Sequence, residues 1–163
     1  GATDPTRPGD KKPMKTGRPL AGETVCDYAM DCLVYNPTTR DWRTHDGMDI
    51  AAEAGTAVLA AADGTVYTVY EDETMGTTVV VRHEDGYVTT YSSLSNDVAV
   101  SVGQEGTLGQ KIGYVGTTAL AETVLGDHVH FFLCKIHLIQ NIKITLYDMC
   151  RFNASAAGPV CSK

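Results

Sequence analysis

GTVYTVYED, residues 64–72, is a run of β-branched and aromatic residues that follows the turn-forming triplet Ala62-Asp63-Gly64. Side chains alternate between the two faces of a strand, so we expect its valines on one face and its threonine and tyrosines on the other, wet face. Similar short runs, separated by glycine-containing turns typical of antiparallel hairpins, occupy residues 56–61, 77–83, 86–94, 97–103 and 111–116.

The run 78–81 differs from its neighbours because it is almost continuously apolar. It predicts a central strand that is covered on both faces. Between residues 47 and 116 the sequence has no convincing amphipathic helix, and residues 135–150 fit either a strand or a helix. The sequence therefore predicts a mainly β fold, an antiparallel sheet or sandwich with few or short helices.

Length and composition fit one globular domain. The chain has 163 residues, 43% hydrophobic and 20% charged, and can bury a core without disulfides. We expect a flexible N-terminal segment at 1–24, rich in proline, glycine and charge, a domain at 25–150 and a C-terminal tail at 151–163. A signal peptide or membrane anchor is expected to have preceded residue 1, and no apolar stretch is long enough to form a membrane-spanning helix.

Charge and cysteine content exclude some classes of protein. A formal net charge of −7 argues against a nucleic-acid-binding surface, which needs a clustered basic face. The five cysteines are an odd number without CxxC spacing, so they predict neither a zinc ribbon nor a complete disulfide framework. Cys26 and Cys32 are close enough in sequence to pair in an exported protein, and free thiols are the alternative.

Three of the five histidines fall in two tight clusters, His45-Asp46-Gly47-Met48-Asp49 and His128-Val129-His130. On a strand, His128 and His130 would point to the same face and converge on one ion or one substrate. In the other cluster, Gly47 lets the backbone turn tightly between an imidazole and a carboxylate. Such nitrogen and oxygen ligands suit zinc. Each motif alone also occurs by chance or as ordinary polar alternation, and the combination favours a metal.

The segments HDGMDIAA (45–52), AADGTV (61–66), GQKIGYVG (109–116) and GDHVHF (126–131) resemble the motifs of LytM or lysostaphin-type zinc metallopeptidases. These enzymes cut peptide bonds in bacterial cell-wall peptidoglycan. The resemblance implies the LytM-like fold, a duplicated hybrid motif of antiparallel β-sheet. It also implies that one zinc ion is held by His45, Asp49 and His130, with His128 as a catalytic histidine.

A peptidase of this kind would hydrolyse peptidoglycan cross-links outside the cytoplasm, either secreted or anchored. Three protein ligands leave one coordination position for the attacking water, as catalytic zinc requires. However, the family's Tyr-x-His-Leu segment reads Tyr91-Ser92-Ser93-Leu94 here, so Ser93 replaces a second catalytic histidine. Loss of one such group typically lowers the rate by about 10² to 10³.

Residues 34–45, together with this departure, resemble the stage II sporulation protein Q group of clostridia. In that group the peptidase-like domain lies outside a membrane and docks a partner protein. The alternative function is therefore a catalytically impaired zinc-binding module in a cell-envelope or sporulation complex. A metal-free lipoyl or biotinyl carrier domain would share the glycine-rich hairpins, but no modifiable lysine signal occurs within the sheet region.

Two further histidines and two aromatic residues outside the expected site also need an interpretation. We interpret His83, at a strand end, as structural, and His137, beyond the resemblance, as packed or exposed. Trp42 and Tyr35 precede the metal motif and would either line a substrate groove or pack on the domain.

Overall fold

A computed structural model describes residues 14–27, 29–45, 47–139, 142–151 and 160–161. In these residues the protein is an antiparallel β structure with only two short 3-10 segments, Glu84–Gly86 and Leu120–Leu125, which confirms the expected fold class. The strands are β1 (Glu23–Cys26), β2 (Ala29–Asn36), β3 (Asp41–His45), β4 (Met48–Ala51), β5 (Ala57–Leu59), β6 (Gly64–Asp72), β7 (Gly76–Arg82), β8 (Tyr87–Leu94), β9 (Glu105–Gly106), β10 (Lys111–Tyr114), β11 (His128–Ile139), β12 (Ile142–Arg151) and β13 (Val160–Cys161).

The main sheet has the strand order β1-β4-β11-β8-β7-β6-β9, with β12 paired to β11 and β13 paired to β12. β11 connects the sheet, because it pairs antiparallel with β4, β8 and β12. β12 follows β11 along the chain, so the region 135–150 that fitted either a strand or a helix forms strands. β5 and β10 form a second small sheet, and β2 and β3 form a hairpin.

A β-bulge in β6 places its two valines on the core face of the strand and its tyrosines on the exposed face. Strict alternation would place Val66 and Val69 on opposite faces, because they are three residues apart. The pairing of β6 with β7 shifts between Val66 and Thr68, which inserts one extra residue. Both valines therefore pack toward the core, whereas Tyr67 and Tyr70 are exposed, as the sequence predicted.

β7 lies between β6 and β8, and three residues of its apolar run are buried while Val80 is half-buried. This confirms the prediction of a covered central strand. The core below it centres on Tyr91 and Phe131, whose ring centroids are 5.3 Å apart. The buried Tyr91 hydroxyl accepts a hydrogen bond of 2.8 Å from the backbone N–H of Ala61, so this polar atom is satisfied inside the core.

Part of the expected N-terminal segment is attached to the domain. Leu20 is buried in the core, and the backbone N–H of Leu59 donates to the Pro19 carbonyl at 2.7 Å. The described stretch 14–24 is thus held by apolar contacts and hydrogen bonds. Its charged and proline-rich composition gave no indication of this attachment. Residues 1–13 and most of 152–163 lie outside the described structure, and the predicted domain boundaries remain predictions.

Candidate metal centre

The strand register brings the two histidine clusters together. Asp49 on β4 is the direct cross-strand partner of His130 on β11, and such partners present their side chains on the same face. Val129 and Phe131 alternate with His130 and fill the core on the opposite face. His45 ends β3, only a few residues before β4, and so reaches the same place.

His45, Asp49 and His130 form a buried cluster. His130 Nδ1 is 2.8 Å from Asp49 Oδ1, and His45 Nε2 is 3.0 Å from Asp49 Oδ2. In the described part of the chain, His45 Nε2 and Asp49 Oδ2 have no properly oriented hydrogen-bond partner although both are buried. Buried polar atoms normally have a partner. The donor set and these two atoms fit a bound zinc ion, which takes nitrogen and carboxylate oxygen ligands.

The orientation of the His45 ring is fixed from outside the cluster. Its Nδ1 lies 2.9 Å from the Asp27 carbonyl oxygen, which can only accept, so Nδ1 carries the proton and donates it. Nε2 is then the nitrogen that is directed at Asp49. Metal-binding histidines commonly donate the proton of their other ring nitrogen to a backbone carbonyl in this way.

Cys26 lies beside this histidine, with Sγ 3.5 Å from His45 Nδ1. It is a free thiol, so the disulfide with Cys32 that the spacing allowed is not formed. Burial raises the pKa of the Cys26 thiol, which keeps it protonated and weakly reactive at neutral pH.

Gly47 is required for a different reason than a tight turn. A Cβ at this position would lie 2.6 Å from His130 Nε2 and 2.6 Å from the Phe131 carbonyl oxygen. Any side chain would therefore collide with the imidazole and the backbone of β11. The glycine lets the loop before β4 approach the metal cluster closely.

Glu122, which the sequence analysis did not identify, belongs to the same cluster. Its carboxylate lies with His45, Asp49 and His130 in a group whose potential ligand atoms are all within 4.8 Å of one another. No motif marks this residue, because it lies in the irregular segment Leu120–Leu125 and only the fold brings it to the histidines.

His128 is adjacent to this group and contacts it through Glu122. His128 Nε2 is 2.8 Å from Glu122 Oε2, and His128 Nδ1 is 2.7 Å from the Gly126 carbonyl oxygen. Both nitrogens face acceptors, so both donate and the ring is an imidazolium. Burial alone would lower the pKa of His128, but the Glu122 carboxylate, the Gly126 carbonyl and the Asp49 charge together raise it.

The cluster is strongly coupled electrostatically. Burial alone would lower the pKa of His45, but the carboxylates of Asp49 and Glu122 raise it to about 11. Burial alone would raise the pKa of Asp49, but the His130 and His45 imidazoles hold it at about 2. The ionised carboxylates therefore attract positive charge to this pocket, either protons on the imidazoles or a metal cation.

Ser93 lies in a bulge next to His130. Its φ of 61° is in the left-handed region, which residues other than glycine seldom adopt. The pairing of β7 with β8 shifts here, so Ser92 and Ser93 together oppose Thr78, and Ser92 is the cross-strand partner of His130. The buried Ser93 Oγ has no hydrogen-bond partner among the described residues. Such strain and unsatisfied burial often occur at functional sites.

His83 makes structural hydrogen bonds away from the metal cluster. Its Nδ1 donates to the Asp63 carbonyl at 2.7 Å, and Nε2 is 2.7 Å from Thr89 Oγ1. Thr89 Oγ1 is in turn 3.0 Å from the Tyr91 hydroxyl, so the chain of hydrogen bonds reaches the core. The structural interpretation of His83 is confirmed, and the side chain of His137 lies outside the described residues.

Tyr35 and Trp42 lie on the β2–β3 hairpin. Their rings contact each other with centroids 5.7 Å apart, and both side chains are largely exposed. They are therefore not buried in the domain.

The model of the family described as Peptidase family M23 matches residues 43–141. The chain belongs to this family. The match includes every residue of the metal cluster, and the predicted LytM-type resemblance is confirmed. Among the described residues of the M23 domain, no helix has the length and hydrophobicity needed to cross a membrane.

Two relatives with peptidase names are similar to the M23 domain. DD-carboxypeptidase/endopeptidase Mpg of Neisseria meningitidis is 37% identical over 96 residues, which cover 59% of this chain and 21% of Mpg. A zinc-containing peptidase from Vibrio cholerae has a similar structure, with a TM-score of 0.55 and 25% identity over 82% of this chain and 39% of that one. The chain spans about a fifth of the length of the curated relatives.

A second similar structure is a SpoIIQ–SpoIIIAH pore-forming complex. Its matching chain superimposes with a TM-score of 0.64 and 25% identity, and the match covers 82% of this chain and 88% of that one. The predicted resemblance to stage II sporulation protein Q is therefore confirmed.

Proposed function

We propose that this M23 domain is a zinc-dependent endopeptidase that hydrolyses peptide cross-links of bacterial peptidoglycan. The observation that supports this most strongly is that His45 Nε2, Asp49 Oδ2 and His130 Nδ1 converge in one buried cluster. Two of these atoms, His45 Nε2 and Asp49 Oδ2, have no hydrogen-bond partner among the described residues. The similarity to Mpg and to a zinc-containing peptidase supports the substrate class and the metal. An extracytoplasmic location, secreted or anchored, follows from such a substrate.

His45, Asp49 and His130 would hold the zinc ion. The Asp27 carbonyl keeps the His45 proton on Nδ1, so that the Nε2 lone pair is available for the metal. Bound zinc would supply Lewis-acid polarisation of the scissile carbonyl and lower the pKa of water toward about 7. Gly47 has no side chain, so the space beside the His130 ring stays free; a larger residue at this position would displace the imidazole.

His128 would act as the proton-transfer residue. It is buried, adjacent to the ligands and able to hold a proton at Nε2. When water attacks and the peptide C–N bond breaks, this nitrogen can pass its proton to the departing amine, and the proton lost by the attacking water then returns His128 to its protonated form. Ser93, which replaces the second histidine expected from the family pattern, has no titration near neutral pH, so the rate should be lower than that of a two-histidine site.

The second candidate function is a zinc-binding module that docks a partner in a cell-envelope or sporulation complex. Ser93 and the similarity to the SpoIIQ chain of the SpoIIQ–SpoIIIAH complex favour it. Both candidates require zinc at the same ligands and differ in turnover. Hydrolysis is therefore the property to measure.

The test is the release of new amino termini from purified peptidoglycan by the zinc-loaded protein. Wild type is compared with His45→Ala, with Ser93→His and with the control Glu71→Gln, which changes an exposed carboxylate on β6. Turnover in the wild type and the control that is lost in His45→Ala would establish a working peptidase. We expect Ser93→His to raise the rate by about 10-fold or more, because it restores a titratable donor.

Absence of turnover in both wild type and Ser93→His, with one zinc ion per chain confirmed by metal analysis, would overturn the peptidase proposal in favour of the binding module. If the wild type were inactive and Ser93→His active, the missing histidine would be the cause. The native domain would then be the binding module.

A further inference from the structure

The Glu122 carboxylate is directed at the predicted zinc ligands. Its Oε1 lies 3.5 Å from His130 Nδ1 and 3.7 Å from His45 Nε2. The residue is only 6% exposed, although glutamate is normally a surface residue. A buried carboxylate needs a compensating positive charge, and the neighbouring imidazoles or a bound metal cation can supply it.

The spacing of these atoms fits four ligands around one zinc ion. Zinc bonds of about 2.0–2.1 Å in a tetrahedron place neighbouring ligand atoms roughly 3.4 Å apart. The separation of His45 Nε2 from Asp49 Oδ2 is 3.0 Å, and the separations from Glu122 Oε1 to the two histidines are 3.5 and 3.7 Å. These three separations lie on either side of the tetrahedral edge, and all four ligand atoms lie within 4.8 Å of one another, which is compatible with Glu122 Oε1 as a fourth ligand.

The second oxygen of Glu122 is held by the protein. His128 Nε2 donates to Oε2 at 2.8 Å, and the Gly126 carbonyl fixes the His128 ring from its other side. One carboxylate oxygen is thus anchored while the other is presented to the ligands. His128 therefore fixes the direction in which the other oxygen of Glu122 points, as outer hydrogen-bond partners do for the ligands of metal sites.

The segment Leu120–Leu125 has an inverted burial pattern. Glu122 is buried, whereas Leu120 and Val124 are 67% and 63% exposed. These two apolar side chains therefore contribute little to holding the segment in place. Its described attachments are polar: the Glu122 carboxylate, and a hydrogen bond of 3.0 Å from the Val124 N–H to Thr38 Oγ1 on the β2–β3 turn.

We infer that Glu122 is a fourth protein ligand of the zinc and closes the coordination position that hydrolysis needs. Zinc sites with four protein ligands are closed, whereas catalytic sites keep one position for water or substrate. The inference rests on the proposed zinc site and adds a way in which access to that site is regulated. In the resting domain this position is closed, so the wild type cuts a peptide only while the segment Leu120–Leu125 has moved outward, and its turnover is slowed rather than abolished.

The experiment compares metal binding in wild type, Glu122→Ala, Glu122→Gln and the control Glu71→Gln. Zinc affinity is measured by competition with a chromogenic chelator. The cobalt-substituted proteins are then titrated with acetohydroxamate, and their visible spectra report the number of ligands and any open position. Thermal melting with and without metal confirms that each variant folds, and Glu122→Gln preserves the size of the side chain.

We expect Glu122→Ala to weaken zinc binding by about 10- to 100-fold, the range seen when a group supporting a zinc site is removed. Acetohydroxamate should change the cobalt spectrum of Glu122→Ala and leave those of wild type and Glu71→Gln unchanged. Turnover of peptidoglycan by Glu122→Ala should exceed that of the wild type, since the closed position becomes open.

Equal zinc affinity in wild type and Glu122→Ala, with acetohydroxamate binding to both, would overturn the inference and leave the proposed zinc site intact. Loss of turnover in Glu122→Ala at unchanged metal affinity would also overturn it and make Glu122 a proton-transfer residue. A wild type that binds no zinc would instead contradict the proposed function itself.

Discussion

Over residues 128–131 both faces of β11 are buried, and they serve different purposes. Phe131 is 2% exposed in the core, and His130, its neighbour along the strand, is 5% exposed in the metal cluster. The core face is held by non-directional apolar contacts within the main and small sheets. The site face depends on specific atoms from β3, β4 and the segment Leu120–Leu125. Loss on the core face should therefore reduce stability, and loss on the site face should reduce metal binding.

The largest effect on stability is expected from the core face. Phe131→Ala removes a ring that contacts Tyr91 and leaves a cavity, so it should lower the free energy of unfolding by about 3–5 kcal/mol. Urea denaturation with a chelator present measures this loss without any contribution from metal. A change below about 1 kcal/mol would contradict the difference between the two faces.

Next in size is the zinc-dependent stability of the site face. His130→Ala removes a ligand, so zinc should no longer raise its melting temperature, whereas zinc at 100 times its Kd should stabilise the wild type by about 2.7 kcal/mol. His45→Ala should behave in the same way. Melting curves with zinc and with chelator, together with metal analysis, test this. If zinc raised the melting temperature of one of these variants as much as that of the wild type, the residue replaced in that variant would be excluded as a ligand.

A smaller effect is expected at the bulge of β8. Ser93→Gly places glycine at a φ of 61° and removes a buried hydroxyl without a described hydrogen-bond partner, so it should raise the free energy of unfolding by about 1 kcal/mol. Ser93→Ala is the matched control, because it removes the hydroxyl and keeps the Cβ. Denaturation curves of both variants separate the backbone contribution from the polar one. Destabilisation by Ser93→Gly would show that the Ser93 side chain supports the bulge.

The smallest effect concerns His83, a histidine that supports the core. Burial lowers the pKa of His83 below 6.5, so the unfolded chain binds this proton more readily than the folded one. The stability contribution is complete above pH 6.5 and is lost as the pH falls through the lower folded pKa. In chelator, His83→Asn should therefore lose less stability than the wild type between about pH 6.5 and 5. Parallel pH profiles in urea denaturation would contradict this.

Part of the candidate site could be predicted from the sequence because its proposed ligands lie in short motifs. His45 and Asp49 are four residues apart, and His128 and His130 alternate on one strand, so local spacing was enough to group them. The register of β4 with β11 then brought Asp49 next to His130. The role of Gly47 was wrong in its detail, since it accommodates the His130 ring.

The sequence by itself determined the antiparallel β fold, through alternating runs and glycine-containing turns. The resemblance of its motifs to those of the family marked His45, Asp49 and His130 as the expected ligands. Only the tertiary structure decided that Glu122 joins them, that His128 pairs with Glu122, and that residues 14–24 pack on the domain. These contacts depend on where irregular segments lie in space. A lone charged residue or a proline-rich stretch carries no periodic signal, so neither reveals its partner until the chain is folded.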